Sequence, residues 1–434
     1  MWGVVTTGIY CCPSGCSGRP KRENRRRYPS AAVAEAAGFR ACHVCRPYRQ
    51  QPGLWIDAPE LVCRALHLIL DGALDDGGTE DALARRIGAS ARHLRRLFLT
   101  HVGVTPTQLA RSARAHFARR LIDDTDLPFG DIAGAACFGS IRQFNKVMRD
   151  TFKASPSELR TRRRRSDRLV ADGGLAVRLP FGPPLAYDDM LALLGAAAVP
   201  GVESVQDGWY RRTISVAGDA GVVEIGPGGP AHLVARFHLP HWEPLLHLVQ
   251  RARRLFALDV DVVAAESDLA GEARMRLGRR PGLRAPGTWD AFEVGVAALV
   301  RLDRPDRSRQ VLAGLVEAHG APLAGLSQWS LTHRFPEAES LASGSLAGVG
   351  LSRAGQRRVC RFASGVAEGA IFLDRSVGER ELVAQLTVLG PCAADLASEL
   401  STRLGASNAA VVNPPVWLWS RLPPDPWPIA SATG

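Results

Sequence analysis

The chain has 434 residues, which is too long for one compact core and predicts two to four domains. Its content of 46% hydrophobic and 22% charged residues excludes a wholly disordered protein. No apolar run is long enough to cross a bilayer, and residues 1–10 lack the basic-then-apolar pattern of a secretory signal. We therefore expect a cytoplasmic protein without a membrane partner.

Positive charge is concentrated in the first two-fifths of the chain. Residues 1–168 hold 29 Lys and Arg against 16 Asp and Glu, whereas the remaining residues hold 25 against 27. The first part therefore carries a net charge of +13 and the rest −2. Because basic side chains that neutralise DNA phosphates release counterions, we expect double-stranded DNA to bind the first part.

Cysteine is also concentrated near the start, in the cluster Cys11, Cys12, Cys16, Cys42 and Cys45. In a reducing compartment, such a cluster indicates a metal or catalytic site rather than disulfides. Two ligand pairs separated by a basic loop would form a four-thiolate Zn²⁺ site whose sulfurs stay ionised and nucleophilic. A purely structural zinc knuckle is the alternative. The remaining cysteines are expected to be small core side chains: Cys63, Cys137, Cys360 and Cys392.

The residues around these cysteines resemble the N-terminal domain of the Ada family over nearly all of residues 2–48. The matching segments are 6–11 (TTGIYC), 19–24 (RPKREN), 36–42 (AAGFRAC) and 45–47 (CRP). The resemblance implies that Cys11, which ends TTGIYC, irreversibly accepts a methyl group from a DNA methylphosphotriester. It further implies that Cys16, Cys42 and Cys45 complete the zinc sphere, and that the loss of one negative charge on methylation strengthens promoter binding.

The spacing of the first cysteine pair leaves an alternative open. Four residues separate Cys11 from Cys16, whereas the common family spacing is three, which Cys12 would restore. We favour Cys11 because it carries the motif. The basic loop between the two pairs is expected to hold the DNA backbone, with Arg22 and Arg26 as candidate contacts.

The next part of the chain predicts a pair of helix-turn-helix units. Residues 83–98 predict a helix, a turn at Gly88 and a second helix capped by Ser90, and residues 131–152 repeat this arrangement. Two such units at this spacing resemble the AraC-type DNA-binding domain, which implies that the second helix of each unit enters a major groove. Phe144 and Phe152 are expected to be core residues. The candidate DNA contacts are Arg92, His93, Arg95, Arg96, Arg142, Gln143, Lys146 and Arg149.

The second half of the chain predicts a small α+β domain followed by helices. Segments 210–216, 221–225 and 231–239 alternate like strands. Residues 177–395 resemble AlkA-type 3-methyladenine DNA glycosylases. The segments that carry this resemblance are 178–185 (RLPFGPPL), 199–203 (VPGVE), 210–213 (YRRT), 281–293 (PGLRAPGTWDAFE) and 331–336 (LTHRFP).

The residues that such glycosylases need for catalysis are altered in this chain. The resemblance implies a Gly-rich hairpin whose backbone N–H groups bind a phosphate, followed by an Asp that stabilises positive charge on the sugar. In the corresponding segment 386–394 (LTVLGPCAA), Val388 replaces one glycine. The Asp position falls on Pro414, or on Asn413 with a shift of one residue, and residues 400–424 contain no Asp or Glu. We therefore expect a degenerate glycosylase scaffold without activity.

Together these patterns predict a multidomain protein that is mainly α with α+β parts. Its expected domains are a small four-cysteine zinc and methyl-acceptor domain (1–50), an AraC-type double helix-turn-helix domain (57–165), an α+β AlkA N-terminal-like domain (176–262) and an all-α helix-hairpin-helix glycosylase-like domain (264–434). We expect an alkylation-damage sensor and transcription regulator that uses Zn²⁺, with RNA polymerase as a further candidate partner. The alternatives are a transcription factor with a purely structural zinc site and an active 3-methyladenine-type glycosylase.

Overall fold

The computed structural model describes residues 1–12, 16, 20–49, 58–75, 77–169, 173–243, 245–260, 262 and 280–404. Within them the chain forms a small β-rich module, a helical region, an antiparallel sheet with flanking helices, and a second helical region. No helix in this part of the chain combines the length and apolar character that crossing a bilayer requires.

The N-terminal module comprises β1 (Trp2–Val4), β2 (Ile9–Cys11), β3 (Arg25–Arg27), α1 (Ala31–Ala36) and β4 (Arg40–Ala41). The strands form one sheet in the order β3-β1-β2-β4, in which β1 is antiparallel to both neighbours and β2 is parallel to β4. Helix α1 begins after Ser30, whose side-chain oxygen accepts a hydrogen bond from the Val33 amide and so caps the helix.

The helical region comprises α2 (Glu60–Leu70), α3 (Glu80–Arg86), α4 (Ala91–His101), α5 (Pro106–Asp124), α6 (Phe129–Ala135), α7 (Ile141–Phe152) and α8 (Pro156–Thr161). Both predicted helix-turn-helix units are present, as α3–α4 and α6–α7. Gly88 makes the first turn at φ +73°, and Ser90 caps α4 as expected. Phe144 and Phe152 are buried, which confirms that they are core side chains.

The α+β part comprises β5 (Leu175–Pro180), α9 (Tyr187–Ala197), β6 (Glu203–Gln206), β7 (Trp209–Val216), β8 (Asp219–Gly229), β9 (His232–His238) and α10 (Leu245–Leu255). The strands form an antiparallel sheet in the order β5-β9-β8-β7-β6. The three predicted strands are present as β7, β8 and β9, and β8 extends beyond the predicted 221–225 at both ends. Strands β5 and β6 were not predicted.

The second helical region comprises α11 (Ala291–Asp303), α12 (Ser308–His319), α13 (Ala338–Ser343), α14 (Arg353–Ala367), α15 (Glu379–Leu386) and α16 (Ala393–Leu404). Asp290 caps α11, because its carboxylate accepts hydrogen bonds from the amides of Phe292 and Glu293. Helix α11 packs against α14 and α16 around Phe362 and Leu400, which are both fully buried.

The largest apolar core among the described residues spans three parts of the chain. It joins Tyr10 of the N-terminal module, Phe144 of α7 and Phe237 of β9 in one cluster. The first helix-turn-helix unit packs around Phe98 in a separate cluster, and the C-terminal helices form another around Phe362. The second helix-turn-helix unit therefore shares its core with both the N-terminal module and the sheet, whereas the described cluster of the first includes Ala32 of α1 but no residue of the sheet.

A buried charge cluster joins the same three parts. Asp123 and Asp124, at the end of α5, have side chains that are 0% and 2% exposed. Arg49 of the N-terminal module lies 2.9 Å from Asp124 and 3.3 Å from Asp123, and Arg178 of β5 lies 2.7 Å from Asp124. Arg46 lies 3.9 Å from Asp123. Buried charges of this kind are tolerated only when they are paired, so this junction holds the three parts together.

Replacement of one of these buried carboxylates tests the junction. Asp123→Asn removes the ion-pair partner of the buried Arg119, 2.5 Å away, and one partner of Arg49, and is expected to lower the free energy of unfolding by about 3–5 kcal/mol. Asp126→Asn is the control: the Asp126 side chain is 45% exposed and also pairs with arginines, so its loss should cost about 1 kcal/mol or less. Urea denaturation measures the free energy of unfolding of both variants. Equal losses of stability would contradict a special role for the buried Asp123 carboxylate.

Candidate metal centre and nucleic-acid interface

Two neighbouring strands bring the clustered cysteines together. Strand β2 ends at Cys11, and its parallel neighbour β4 leads directly into Cys42, whose amide donates to the Tyr10 carbonyl at 2.9 Å. The sulfur atoms of Cys11, Cys16, Cys42 and Cys45 all lie within 4.8 Å of one another, and those of Cys16 and Cys42 are 3.7 Å apart. The structure therefore places the four predicted metal ligands at one point.

The chemistry of this four-sulfur cluster fits a divalent cation. Burial and the neighbouring sulfurs of Cys42 and Cys16 raise the pKa of the Cys11 thiol to about 12. Four thiols this close cannot all ionise unless a cation offsets their mutual repulsion, and Zn²⁺ favours four sulfurs in a tetrahedral arrangement. The Val44 amide also donates to the Cys42 sulfur at 3.4 Å, which stabilises negative charge there.

Cys12, the alternative ligand, is placed differently. Its side chain is buried at 2% relative exposure, whereas Cys11 is partly exposed. Cys12 contacts Cys45 through both its backbone amide and its side chain, but its sulfur is not a member of the group whose atoms lie within 4.8 Å of one another. The structure thus groups Cys11, rather than Cys12, with the other three cysteines.

The basic strand β3 lies in the same sheet as the metal centre, separated from β2 by β1. In the sheet register, Cys11 is opposite Trp2, and Trp2 is opposite Arg27. Directly opposed residues of neighbouring strands project from the same face, so Cys11 and Arg27 share a face. Arg26 is opposite Gly3 and projects from the other face. The other candidate contact in this module, Arg22, is exposed in a short 3₁₀ helix just before β3.

A hydrogen-bonded link that sequence reasoning missed joins the metal centre to α5. Tyr10, next to Cys11, is fully buried, and its hydroxyl donates to Glu35 Oε1 at 2.7 Å. Glu35 also accepts from the Ser112 hydroxyl at 2.7 Å and lies 2.6 Å from His116 Nε2, and both of those residues belong to α5. Burial alone would raise the pKa of Glu35, but His116 and these hydrogen bonds lower it. The Glu35 carboxylate therefore holds the strand that carries Cys11 against α5.

The predicted DNA contacts of the helix-turn-helix units lie on α4 and α7. Some are engaged within the protein: Arg95 pairs with Glu80 at 2.6 Å, and the Gln143 side-chain oxygen accepts from the Gly139 amide at 3.1 Å. The Arg96 guanidinium lies 3.1 Å from His93 Nδ1. The members that are exposed on the two helices are Arg92, Arg95, Arg96, Arg142, Gln143, Lys146 and Arg149.

The structure describes the turn that corresponds to the glycosylase-like hairpin, but not the positions predicted for the missing aspartate. Helix α15 leads into a 3₁₀ turn at Thr387–Cys392 and then into α16, and Gly390 adopts φ +79° in that turn. Val388, at the predicted glycine position, is 52% exposed. Asn413 and Pro414, the predicted positions of the missing aspartate, lie outside the described residues.

Three families match successive parts of the chain. Residues 1–48 match the metal binding domain of Ada, residues 83–162 a helix-turn-helix domain, and residues 176–290 the AlkA N-terminal domain. These matches confirm the predicted resemblances and the multidomain α and α+β fold class. Together with the four-sulfur cluster, the first match confirms Zn²⁺ as the cofactor. The match to a helix-turn-helix domain indicates that this chain binds DNA.

Individual proteins match over longer stretches. The chain is 37% identical over 122 residues to the Escherichia coli "Bifunctional transcriptional activator/DNA repair enzyme Ada" (27% of this chain, 32% of that protein). It is 29% identical over 199 residues to the Escherichia coli "DNA-3-methyladenine glycosylase 2" (44% and 68%). It is 37% identical over 429 residues to the Mycobacterium tuberculosis "Probable bifunctional transcriptional activator/DNA repair enzyme AlkA" (93% and 86%). This last match spans most of both proteins, and the chain therefore belongs to the family of AlkA-type bifunctional transcriptional activator/DNA repair enzymes.

Proposed function

We propose that this protein senses DNA alkylation in the cytoplasm by transferring a methyl group from a DNA methylphosphotriester to Cys11, and that it then regulates transcription. The observation that carries the proposal is that Cys11 is a partly exposed member of the four-sulfur cluster and shares a sheet face with Arg27. The two residues are two strands apart, about 10 Å. A phosphate held by Arg27 would therefore present its methyl ester near the Cys11 sulfur.

The proposed transfer is a single displacement. Bound Zn²⁺ keeps the Cys11 sulfur ionised. The sulfur attacks the methyl carbon, and a carbon–sulfur bond forms as the carbon–oxygen bond of the ester breaks. The oxygen keeps the electron pair and leaves as an ordinary phosphodiester anion. Cys11 ends as a neutral thioether that cannot return the methyl group, so each chain reacts once.

Methylation changes the charge of the metal centre. Four thiolates around Zn²⁺ carry two net negative charges, and the thioether removes one of them. Repulsion between the N-terminal module and the DNA backbone falls accordingly, which favours DNA binding. Because Tyr10 and Glu35 join the strand of Cys11 to α5, a change at the sulfur also reaches the helix-turn-helix region by direct contact.

Mass measurement tests the acceptor. Duplex DNA that contains a methylphosphotriester is expected to add one methyl group to the zinc-loaded chain, on the peptide that contains Cys11. Cys11→Ser should gain none, whereas Cys63→Ser, the same change at a partly exposed cysteine outside the cluster, should react like the wild type. Methyl on Cys12 would contradict the assignment. Absence of methyl on every cysteine would instead support a transcription factor with a structural zinc site.

We propose that α4 and α7 read adjacent major grooves. Among the described residues, Arg92, Arg142 and Lys146 make no ion pair or side-chain hydrogen bond, so their charged groups are available to DNA. Arginine can bind a guanine edge with two hydrogen bonds, whereas lysine more often contacts phosphate. At a promoter bound in this way, RNA polymerase is the proposed protein partner.

Substitution on α7 tests this arrangement. On a duplex selected by the wild-type chain from a random library, Arg142→Ala is expected to weaken binding by about 1–3 kcal/mol, or roughly 5- to 150-fold. The matched control is Arg357→Ala, which removes an equally exposed arginine on α14 and should bind like the wild type. Fluorescence anisotropy at one fixed salt concentration measures both. Equal weakening by the two variants would argue against base reading by α7.

We propose that the glycosylase-like region is a scaffold without base-excision activity. Val388 replaces a hairpin glycine, and the sequence offers no carboxylate at Asn413 or Pro414 to stabilise positive charge on the sugar. The hairpin itself remains folded around Gly390, which supports a retained structural role.

A base-release assay tests this scaffold proposal. Methylated duplex DNA incubated with the full chain is expected to release 3-methyladenine no faster than DNA in buffer, because neither Asn413 nor Pro414 supplies a carboxylate to offset the positive charge that forms on the sugar as the base departs. Escherichia coli DNA-3-methyladenine glycosylase 2 serves as the positive control. Release that grows in proportion to the concentration of this chain would overturn the proposal and favour an active repair glycosylase.

A further inference from the structure

The turn of the second helix-turn-helix unit carries a cysteine where the backbone favours glycine. Cys137, between α6 and α7, has φ +56°, in the left-handed region. The first unit has Gly88 at the same point, with φ +73°. The amides of both residues donate to the carbonyl three residues earlier, at 2.8 Å for Cys137 and 3.1 Å for Gly88. Cys137 is buried in the main core, as the sequence suggested, but burial alone does not account for a non-glycine residue with positive φ at this turn.

The Cys137 side chain meets two other metal-ligating groups. Its sulfur lies 3.4 Å from Nε2 of His247, on α10, and that nitrogen lies 3.1 Å from Oδ2 of Asp75, which precedes α3. The three donor atoms all lie within 4.8 Å of one another. The group therefore joins both helix-turn-helix units to the α+β part of the chain.

Nε2 of His247 faces both the Cys137 sulfur and the Asp75 carboxylate, and it carries at most one proton to share between them. A cation at the centre would bind all three donors at once. Zn²⁺ takes cysteine, histidine and aspartate, and its bond lengths place tetrahedral ligand atoms about 3.3–3.6 Å apart. The observed 3.1 and 3.4 Å separations are close to that spacing.

The surroundings hold these ligands in place. Arg114 of α5 pairs with the other carboxylate oxygen of Asp75 and donates to the Leu74 carbonyl at 2.5 Å, so that Oδ2 is left to face His247. A β-carbon at Gly72 would overlap the imidazole ring of His247, so the backbone there is fitted closely to it. The contact on Asp75 is of the kind that orients metal ligands, whereas Nδ1 of His247 is buried without a hydrogen-bond partner among the described residues.

We propose that Cys137, His247 and Asp75 form a second zinc site, with water as the fourth ligand. Its ligands come from the turn that precedes α7, from α10 and from the segment before α3. The ion would therefore fix the second helix-turn-helix unit against the glycosylase-like half of the chain. This site is separate from the four-sulfur cluster and does not depend on methyl transfer.

Zinc counting on the full-length chain tests the site. The protein is loaded with excess Zn²⁺, passed through gel filtration, and analysed by native mass spectrometry and elemental analysis. Two variants remove ligands: Cys137→Gly, which relieves the backbone strain and is therefore expected to fold, and His247→Gln, which retains most of the side-chain volume. Cys360→Ser is the control, because Cys360 is a partly exposed cysteine outside both groups.

The expected result is two zinc ions in the wild type and in Cys360→Ser, and one in Cys137→Gly and in His247→Gln. Two ions in both ligand variants would overturn the second site. One ion in the wild type, lost on Cys45→Ser, would also overturn it, and would leave the proposed methyl acceptor intact. The failure of this inference is therefore distinguishable from failure of the four-sulfur centre.

Discussion

Two adjacent aspartates at the end of α5 dictate how this molecule is assembled. Asp123 and Asp124 are almost completely buried, and burial raises the pKa of Asp124 even with Arg49 and Arg178 beside it. Their negative charge can be held inside the protein only if arginines offset it. Arg119 of α5 itself pairs with Asp123 at 2.5 Å, and further arginines reach the two carboxylates from the N-terminal module and from β5. The metal centre, the second helix-turn-helix unit and the sheet consequently form one structural unit rather than separate modules.

This arrangement places α4 and α7, the two helices proposed to read DNA, in different surroundings. Helix α7 belongs to the shared core through Phe144, and it contacts β4, the strand that leads into Cys42 of the metal centre. Helix α4 packs around Phe98 in a cluster that also includes Ala32 of α1. The N-terminal module therefore contacts the second unit through β4 and the core of the first unit through α1.

The sequence predicted the features that local patterns encode. The cap Ser90, the turn at Gly88 and the strands with alternating residues follow from short-range rules. Strand β5 was missed because its residues are mostly buried, so that it shows no simple polar alternation. The Tyr10–Glu35–Ser112 link was missed because its members are 25 and 77 positions apart.

The position of Cys137 shows why a residue's role depends on its partners rather than on its neighbours in sequence. Its apolar flanks suggested a core side chain, and only the fold brings it to His247, 110 positions away. For Cys11 and Cys12 the situation is the reverse. The two residues are adjacent in sequence, and only the positions of their sulfur atoms show which one joins the four-sulfur cluster. In both cases the decisive information is the direction of a side chain in three dimensions.

The glycosylase-like half also contacts the first helical region. Arg64 of α2 donates to the Ser376 carbonyl at 3.3 Å, and Arg86 of α3 pairs with Asp374. The segment before its hairpin thus contacts α2 and α3, so polar contacts join the C-terminal helices to the first helical region.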